Sequence, residues 1–247
     1  MGGASRGERK RRQEAAAQRL AAAGIQVPQK RSNPALMIVI AVVVVAVLVG
    51  GVVLYLRRSG TETVAPTYTA TAAGAVVTAG TGKAVVDVYE DFLCPNCEIF
   101  EKTYGDQIVT ALNEGKLTVR YHSIAILDSR SNPVGYSTRA ANAALCAVPA
   151  GIYPAYHQKL FANQPSEGSA GLTDAQLVQF GTDLGAKGDF ASCVTGAKNA
   201  SAVTAETQKA VADPALQNDG VFGTPTVVAN GAMVDLNNRD WLKAIIG

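Results

Sequence analysis

The sequence has little of what several common site chemistries require. Its 247 residues include only two His and four Cys. Neither His122 nor His157 has the Ser or Cys context of a hydrolase triad, so hydrolysis is not indicated. Gly80-Thr81-Gly82 is interpreted as a turn, and no Gly-rich phosphate loop occurs in the sequence. Both histidines are interpreted as packing residues, His122 in a strand and His157 on an apolar helix face.

Positive charge is scarce outside the N-terminal tail. Residues 59–247 carry 12 Lys/Arg against 18 Asp/Glu, whereas residues 1–33 carry eight Lys/Arg against two Glu. The larger part of the chain is therefore acidic, and the net charge of +2 does not indicate a nucleic-acid partner. We interpret the basic tail as a segment that sets membrane topology and is attracted to lipid headgroups.

Charge of either sign is absent from Pro34–Leu56, a run of 23 residues. A run of this length predicts a transmembrane helix. The apolar run exceeds the roughly 7–15 residues of a signal-peptide core, so an uncleaved single-pass anchor is favoured over a cleaved signal. The sequence thus predicts a cytoplasmic basic tail (1–33), a transmembrane helix (34–56), a linker (57–66) and an extracytoplasmic domain (67–247) held at the cell membrane.

The cysteine pair Cys94-Pro95-Asn96-Cys97 is the main chemical signal of the chain. It follows the predicted strand Ala84–Tyr89 and opens a helical pattern. Free N–H groups at a helix start stabilise thiolate, which predicts a lowered pKa for Cys94 and makes it the attacking sulfur. Cys97 lies one helical turn further in, where it can resolve a mixed disulfide.

Half of a zinc site is the alternative interpretation of this pair. Zinc needs four ligands, and the remaining candidates do not occur in pairs at short spacing. A strand before the pair and a helix after it favour redox chemistry over metal binding. The remaining candidate ligands are Cys146, Cys193, His122 and His157.

Hydrophobic patterning predicts an α/β domain in which a block of helices interrupts a small sheet. The dithiol helix, Glu98–Asn113, is expected to place Ile99, Tyr104, Ile108 and Leu112 on one face. An Asn230-Gly231 hairpin turn is expected near the C-terminus. The predicted strands are Tyr68–Thr71, Ala75–Thr78, Ala84–Tyr89, Lys116–Ile126 and Val221–Ala229. The other predicted helices are Tyr136–Val148, Ile152–Asn163, Thr173–Leu184, Asp189–Val211 and Asn238–Ile246.

Five segments occur in an order that resembles the DsbA-like branch of the thioredoxin superfamily, of the single-pass type in Gram-positive and actinobacterial envelopes. The resemblance covers about residues 67–247 and implies a thioredoxin-like fold with a helical insertion at about 131–219. The segments are Phe92–Cys97, the strand from Lys116, the Ala-rich helix ending at Cys146, His157–Phe161 and Gly223-Thr224-Pro225-Thr226.

The resemblance also implies roles for single residues. Cys94 corresponds to the nucleophile and Cys97 to the resolving thiol. Pro225 corresponds to a cis-proline opposite the dithiol, which leaves the Thr224 backbone free to pair with an extended substrate. A structural disulfide between Cys146 and Cys193 resembles one in related envelope proteins; two buried free thiols are the alternative.

Two positions depart from the family pattern. The acid that relatives place six residues before the first cysteine is replaced by Val88. Glu90 and Asp91 are closer to the pair and are candidates for proton transfer, with solvated strand-end carboxylates as the equal alternative. Asn96 replaces the His that strong oxidases carry between the cysteines, so we expect a dithiol less oxidising than about −120 mV.

These features together predict an extracytoplasmic dithiol oxidase that introduces disulfides into exported proteins with cysteines. The family implies a membrane partner of the DsbB or vitamin K epoxide reductase type for reoxidation, and no cofactor or metal is expected. The alternatives are a reductase or isomerase of the same fold, a redox-inactive membrane-tethered binding module, and a transmembrane redox sensor.

Overall fold

The computed structural model describes residues 4–23 and 64–247, which belong to two separate compact units. The first contains helix α1, Ala4–Ala22, on which Lys10, Arg11 and Arg19 are exposed. The predicted membrane segment 34–56 lies outside the described residues. Across residues 4–23 and 64–247, no helix combines the length and apolar character that crossing a bilayer requires.

The second unit is built on a six-stranded sheet with the order β1-β2-β4-β3-β7-β8. Only β3 and β4 are parallel; the other neighbours are antiparallel. Two further strands, β5 and β6, form a separate small hairpin. The strands are β1 Ala70–Ala73, β2 Val76–Gly80, β3 Ala84–Glu90, β4 Leu117–Ser123, β5 Gln217–Asn218, β6 Val221–Phe222, β7 Thr226–Ala229 and β8 Ala232–Met233.

Helix α2, Pro95–Asn113, connects the parallel strands β3 and β4. Its buried face carries Phe100, Tyr104, Ile108 and Leu112, which recur every four residues. Ile99 was expected on this face but is 58% exposed. The prediction was wrong because Ile99 is five residues from Tyr104, which rotates it away from a stripe that repeats every four.

Five helices form the insertion between β4 and β5. The predicted helix Asp189–Val211 is in fact two helices, because the chain adopts a positive φ of 49° at Ala197. Asn142 holds the break: its Oδ1 accepts a hydrogen bond from the Asn199 N–H at 2.8 Å. The helices are α3 Tyr136–Ala147, α4 Tyr153–Ala162, α5 Asp174–Asp183, α6 Phe190–Thr195 and α7 Ala200–Ala212.

The predicted strand Val221–Ala229 is also interrupted. Its first part pairs with β5 and its last part with β3, on either side of a cis Thr224–Pro225 bond. Pro225 has no N–H to donate to a strand ladder, which explains the interruption. Asn230 and Gly231 make the β7–β8 turn with φ values of 53° and 78°, the two positive angles of a type I′ hairpin. Helix α8, Trp241–Ile246, ends the chain and buries Trp241.

Candidate active site

Cys94 caps the N-terminus of α2, after a short loop that follows the end of β3 at Glu90. Its backbone is extended, with φ −75° and ψ 117°, and Pro95 occupies the first helical turn, where an N–H is not needed. The Cys94 N–H donates to the Asp91 carbonyl at 2.9 Å, and the Cys97 N–H donates to the Cys94 carbonyl at 3.0 Å. Both sulfurs are free thiols; Cys94 is 6% exposed and Cys97 only 1%.

The surroundings of Cys94 favour its thiolate. A hydrogen bond from the Cys97 thiol is the largest cause, and together with the Thr224 side chain and the backbone N–H groups of Asn96 and Cys97 it outweighs burial and lowers the pKa of Cys94 to about 6. In the neutral form, the Cys94 thiol donates to the Thr224 carbonyl at 3.2 Å. Cys94 is therefore equipped to react as a thiolate near neutral pH.

The surroundings of Cys97 have the opposite effect. Burial, followed by the hydrogen bond with Cys94 and the negative charges of Cys94 and Glu90, raises the pKa of Cys97 well above its usual value. Two thiols in one helical turn are thus chemically unequal, with a stabilised thiolate at Cys94 and a protonated thiol at Cys97. Among the described residues, no third potential ligand joins the two sulfurs at metal-binding distance, which disfavours the zinc interpretation.

Asp91 is buried, so the interpretation of it as a solvated strand-end carboxylate is wrong. One carboxylate oxygen accepts from the Leu93 N–H and the other from the Leu127 N–H, each at 2.9 Å. Burial is the main reason that the pKa of Asp91 is raised to about 6. Both oxygens of Asp91 accept hydrogen bonds from backbone N–H groups, so Asp91 stabilises the conformation of the loop before Cys94.

Glu90 is buried as well, and it forms part of a cluster that sequence reasoning missed. Its Oε1 lies 2.7 Å from His157 Nε2, while its Oε2 is buried with no partner. One side-chain atom each of Glu90, Glu101 and His157 lies within 4.8 Å of the others. Carboxylate and imidazole groups at these distances can share protons or hold a divalent cation.

Two signals in the sequence could have pointed to this cluster. Glu101 is four residues after Cys97, so it shares a helix face with a buried thiol. His157 lies in an otherwise apolar helix face, and it was interpreted as a packing residue. A charged partner for each was not evident because Glu90 is 67 residues away from His157 in the chain.

The other histidine, His122, makes contacts that hold the fold together. His122 lies between Asp87, at 2.9 Å from Nε2, and Glu206, at 2.7 Å from Nδ1. Its ring stacks on Tyr89 with centroids 4.0 Å apart. These contacts connect β3 and β4 to helix α7, so His122 joins the sheet to the helical insertion.

A cavity of about 890 Å³ opens beside the dithiol and includes both predicted substrate-binding residues, Thr224 and Pro225. Three of its lining side chains are large, apolar and exposed: Ile99 (58%), Val221 (69%) and Met233 (42%). Exposed apolar groups gathered at one place are typical of a surface that binds another molecule. The groove therefore offers exposed apolar side chains beside Thr224, whose carbonyl accepts the hydrogen bond of the Cys94 thiol.

The remaining two cysteines are joined. A disulfide links Cys146 in α3 to Cys193 in α6, with a Cα–Cα distance of 5.9 Å. Both residues are buried. The bond therefore connects two helices of the insertion and takes no part in the Cys94–Cys97 pair.

Comparisons with known proteins agree with this site. Across 180 residues the chain is 31% identical to the serine/threonine-protein kinase PknE of Mycobacterium tuberculosis, a match covering 70% of this chain and 31% of the kinase. The chain thus spans about a third of the length of the curated relatives it matches.

Two solved structures from Mycobacterium tuberculosis are similar over most of their length. Reduced DsbA is 32% identical with a TM-score of 0.56, covering 67% of this chain and 83% of DsbA. The reduced disulfide bond oxidoreductase DsbG is 34% identical with a TM-score of 0.57, covering 67% and 79%. Residues 73–247 match the family described as Thioredoxin. The chain therefore belongs to the thioredoxin family, as a thiol–disulfide oxidoreductase of the DsbA/DsbG type.

Proposed function

We propose that this protein is a dithiol oxidase that introduces disulfides into exported proteins. The observation that carries the proposal is the inequality of the two thiols: Cys94 has a pKa lowered to about 6 beside an open groove, and Cys97 is buried with a raised pKa. A stabilised Cys94 thiolate stabilises the reduced form, and this makes the oxidised form a better oxidant.

The reaction begins with the oxidised Cys94–Cys97 pair. A substrate thiolate attacks Cys94 Sγ, the Cys94–Cys97 bond breaks, and Cys97 leaves with the electron pair and takes up a proton. A second thiolate of the same substrate then attacks the substrate sulfur that is bonded to Cys94. The substrate disulfide forms, and Cys94 is released as a thiolate. The substrate has lost two electrons, which the reduced pair passes to a membrane partner of the DsbB or vitamin K epoxide reductase type.

The stabilisation of the reduced form by the Cys94 thiolate depends on pH. A thiol whose pKa falls from 9.0 to about 6 stabilises the reduced form fully above about pH 9, and this stabilisation is lost as the pH falls through about 6. At pH 7 it amounts to about 1.4 kcal/mol, which is roughly 30 mV for a two-electron couple. The ionisation of Cys94 thus makes the couple more oxidising, by a modest amount.

We predict a potential between that of thioredoxin, about −270 mV, and that of the strongest oxidant of this type, about −120 mV. The Cys94 pKa of about 6 also lies between theirs, which are about 7 and about 3.5. The potential is measured by equilibrating the chain with glutathione buffers at pH 7. A value at or above about −120 mV would contradict the expected effect of Asn96 at the position between the cysteines.

A disulfide reductase or isomerase is the second candidate. One observation favours it: the Cys94 pKa is closer to that of thioredoxin than to that of the strongest oxidants. A potential near about −270 mV would reverse the proposed direction of electron flow. A redox-inactive binding module fits less well, because such a module would have no use for a thiolate-stabilising site at Cys94.

We also propose that the catalytic domain lies outside the cytoplasm, anchored by residues 34–56 with residues 1–33 inside. The apolar run and the basic residues before it support this orientation. Alkaline phosphatase, which is active only after export, should be active when fused after Gly247 and inactive when inserted after Asn33 with residues 34–247 following it. Activity of the second fusion alone would reverse the topology and remove the exported substrates from the proposal.

A further inference from the structure

Three side chains of metal-binding type converge in the interior of the second unit. They are Glu90 at the end of β3, Glu101 on α2 and His157 on α4. One carboxylate or imidazole atom of each lies within 4.8 Å of those of the other two. Across residues 4–23 and 64–247, this is the one group of three acidic, His or Cys side chains that converges so closely.

Two carboxylate oxygens of this group are buried and lack a hydrogen-bond partner. Glu90 is 1% exposed, and its Oε2 accepts no hydrogen bond from the described residues. Glu101 Oε1 is also inaccessible to solvent and without a donor in that part of the chain. A buried carboxylate oxygen without a donor is costly, so the two oxygens call for a ligand or a proton.

The charge of the group is also unbalanced. His157 is 2% exposed, and its Nε2 lies 2.7 Å from Glu90 Oε1, the distance of a charge-assisted hydrogen bond. The protonated imidazole offsets one carboxylate and leaves one negative charge in the protein interior, which is unfavourable. A divalent cation with a neutral imidazole would balance both carboxylates. One more proton would balance the charge as well, and the experiment below separates the two outcomes.

The side chains around His157 are aromatic and do not supply the missing positive charge. The ring centroids of Phe92, Tyr121, Tyr153 and Phe161 lie 4.7–5.8 Å from that of the imidazole. The buried Tyr153 hydroxyl lacks a partner within the described residues, and burial raises its pKa well above the usual value, so it stays neutral. These rings fix the orientation of the imidazole without changing the charge of the group.

An open cavity gives the group an access path from solvent. Glu101 is only partly buried and lines a cavity of about 600 Å³ between α2 and α4. The two lysines of the cavity wall are engaged with other carboxylates, Lys102 with Glu98 at 2.6 Å and Lys159 with Asp183 at 3.4 Å. A metal ion can therefore reach Glu101 from this side without competing with a lysine.

We propose that Glu90, Glu101 and His157 bind one zinc ion, which joins the end of β3 to α2 and α4. An imidazole nitrogen together with carboxylate oxygens favours zinc over calcium or magnesium, because those ions prefer oxygen ligands alone. The ion takes the place of the proton between Glu90 and His157, and that proton leaves to solvent. His157 then binds as the neutral imidazole.

The spacing of the three side chains fits a tetrahedral zinc site after a small movement. Zinc ligands at about 2.0–2.2 Å from the ion are about 3.5 Å from one another in a tetrahedron. Shifts of about 1 Å, within the reach of two glutamate side chains, bring the three ligands to this spacing. A water molecule from the cavity completes the fourth position, as in other zinc sites with three protein ligands.

Zinc binding is tested with the complete chain in its oxidised form, because a reduced Cys94–Cys97 pair could itself bind zinc. The chain is freed of metal with a chelator, and calorimetric titration with zinc chloride should show one equivalent bound. Glu101→Gln keeps the size of the side chain and removes the charge of one ligand. It should weaken the affinity by about 100-fold or more, since even the loss of a group that only supports a ligand costs about 10–100-fold.

Glu98→Gln is the matched control, since Glu98 lines the same cavity on α2 and lies outside the group of three. Its zinc affinity should equal that of the unmodified chain.

Thermal unfolding separates a metal ligand from a residue that only supports the fold. Zinc at about 100 times its Kd should raise the Tm of the unmodified chain by about 5 °C or more and leave the Tm of Glu101→Gln unchanged. Without metal, Glu101→Gln should be at least as stable as the unmodified chain, because the change removes an unbalanced buried charge.

Several results would overturn the zinc site. They are an affinity of Glu101→Gln within threefold of that of the unmodified chain, an equal loss in Glu98→Gln, and tighter binding of calcium than of zinc. Absence of binding to the oxidised chain would also overturn it, in favour of a proton that balances the charge. The titration uses no disulfide substrate, so its outcome does not depend on whether the chain is an oxidase.

Discussion

Cys94→Ser should abolish disulfide exchange, with a loss of at least about 10³-fold in the rate of oxidation of a dithiol peptide. Serine occupies nearly the same volume at the start of α2 but cannot form a disulfide with a substrate. The fold should persist, because Cys94 contributes a helix cap without a side-chain hydrogen bond to the cap. The measurement is peptide oxidation followed over time, with the full chain oxidised beforehand.

A matched control for this loss is the double change Cys146→Ser with Cys193→Ser, which also removes two sulfurs. Measured at a temperature where it is folded, this variant should retain most of the exchange rate, since its disulfide lies in the helical insertion. Exchange by Cys94→Ser above about a tenth of the normal rate would contradict the assignment of the nucleophile.

Cys97→Ala separates the two roles of the pair. Mixed with a peptide dimer joined by a disulfide, it should trap a mixed disulfide: the Cys94 thiolate attacks one peptide sulfur, the other peptide leaves as a thiolate, and no Cys97 thiol remains to release the adduct. It should also raise the Cys94 pKa from about 6 toward 9.0, since the Cys97 thiol is the largest cause of the lowering. The titration is followed by thiolate absorbance or alkylation rate, and an unchanged midpoint would assign the lowering to the Thr224 side chain and the helix N–H groups.

Removing the Cys146–Cys193 disulfide should reduce the free energy of unfolding of the catalytic unit by about 4 kcal/mol. The bond spans a sequence separation of 47, and closing a loop of this length restricts the unfolded chain by about that amount. With an m-value of about 2 kcal/mol/M, the urea midpoint should fall by about 2 M. The measurement compares urea unfolding of the chain with that of Cys146→Ala combined with Cys193→Ala.

Removal of the disulfide should lower stability mainly by giving the unfolded chain more freedom, because other contacts hold α6 in the folded protein. The Asn142 side-chain amide donates to the Val194 carbonyl at 3.1 Å, and its Oδ1 accepts from the Asn199 N–H. Cys94→Ala combined with Cys97→Ala is the control in the reduced state, and its midpoint should move much less. A loss below about 1 kcal/mol for the insertion pair would show that the bond is not a significant structural link.

Local features of the sequence predicted much of the fold around the dithiol. The strand before Cys94, the helix after it and the Asn230-Gly231 turn each depend on residues close together in the chain. The type I′ turn, for example, needs two residues that tolerate positive φ, and Asn-Gly supplies them. Such preferences act over a few residues, so the sequence alone was enough.

The errors lie where distant contacts decide the local structure. The helix predicted for Asp189–Val211 divides near Ala197, and Asn142 on another helix holds the division. The strand predicted for Val221–Ala229 divides at Pro225 because its two halves pair with different partners. No propensity of these residues specifies which strand or amide will face them.

The sequence by itself determined the chemistry of this protein: a Cys-Pro-Asn-Cys pair at a strand-to-helix junction, followed by Gly-Thr-Pro-Thr after a block of helices. Only the tertiary structure decided which charged side chains are buried near that pair. Whether Glu90 is solvated or buried depends on α4 packing over it, and its partner His157 is 67 residues away. The chemistry of the cysteine pair follows from residues that are close together in the chain. The burial of a carboxylate instead depends on every element that excludes water from it.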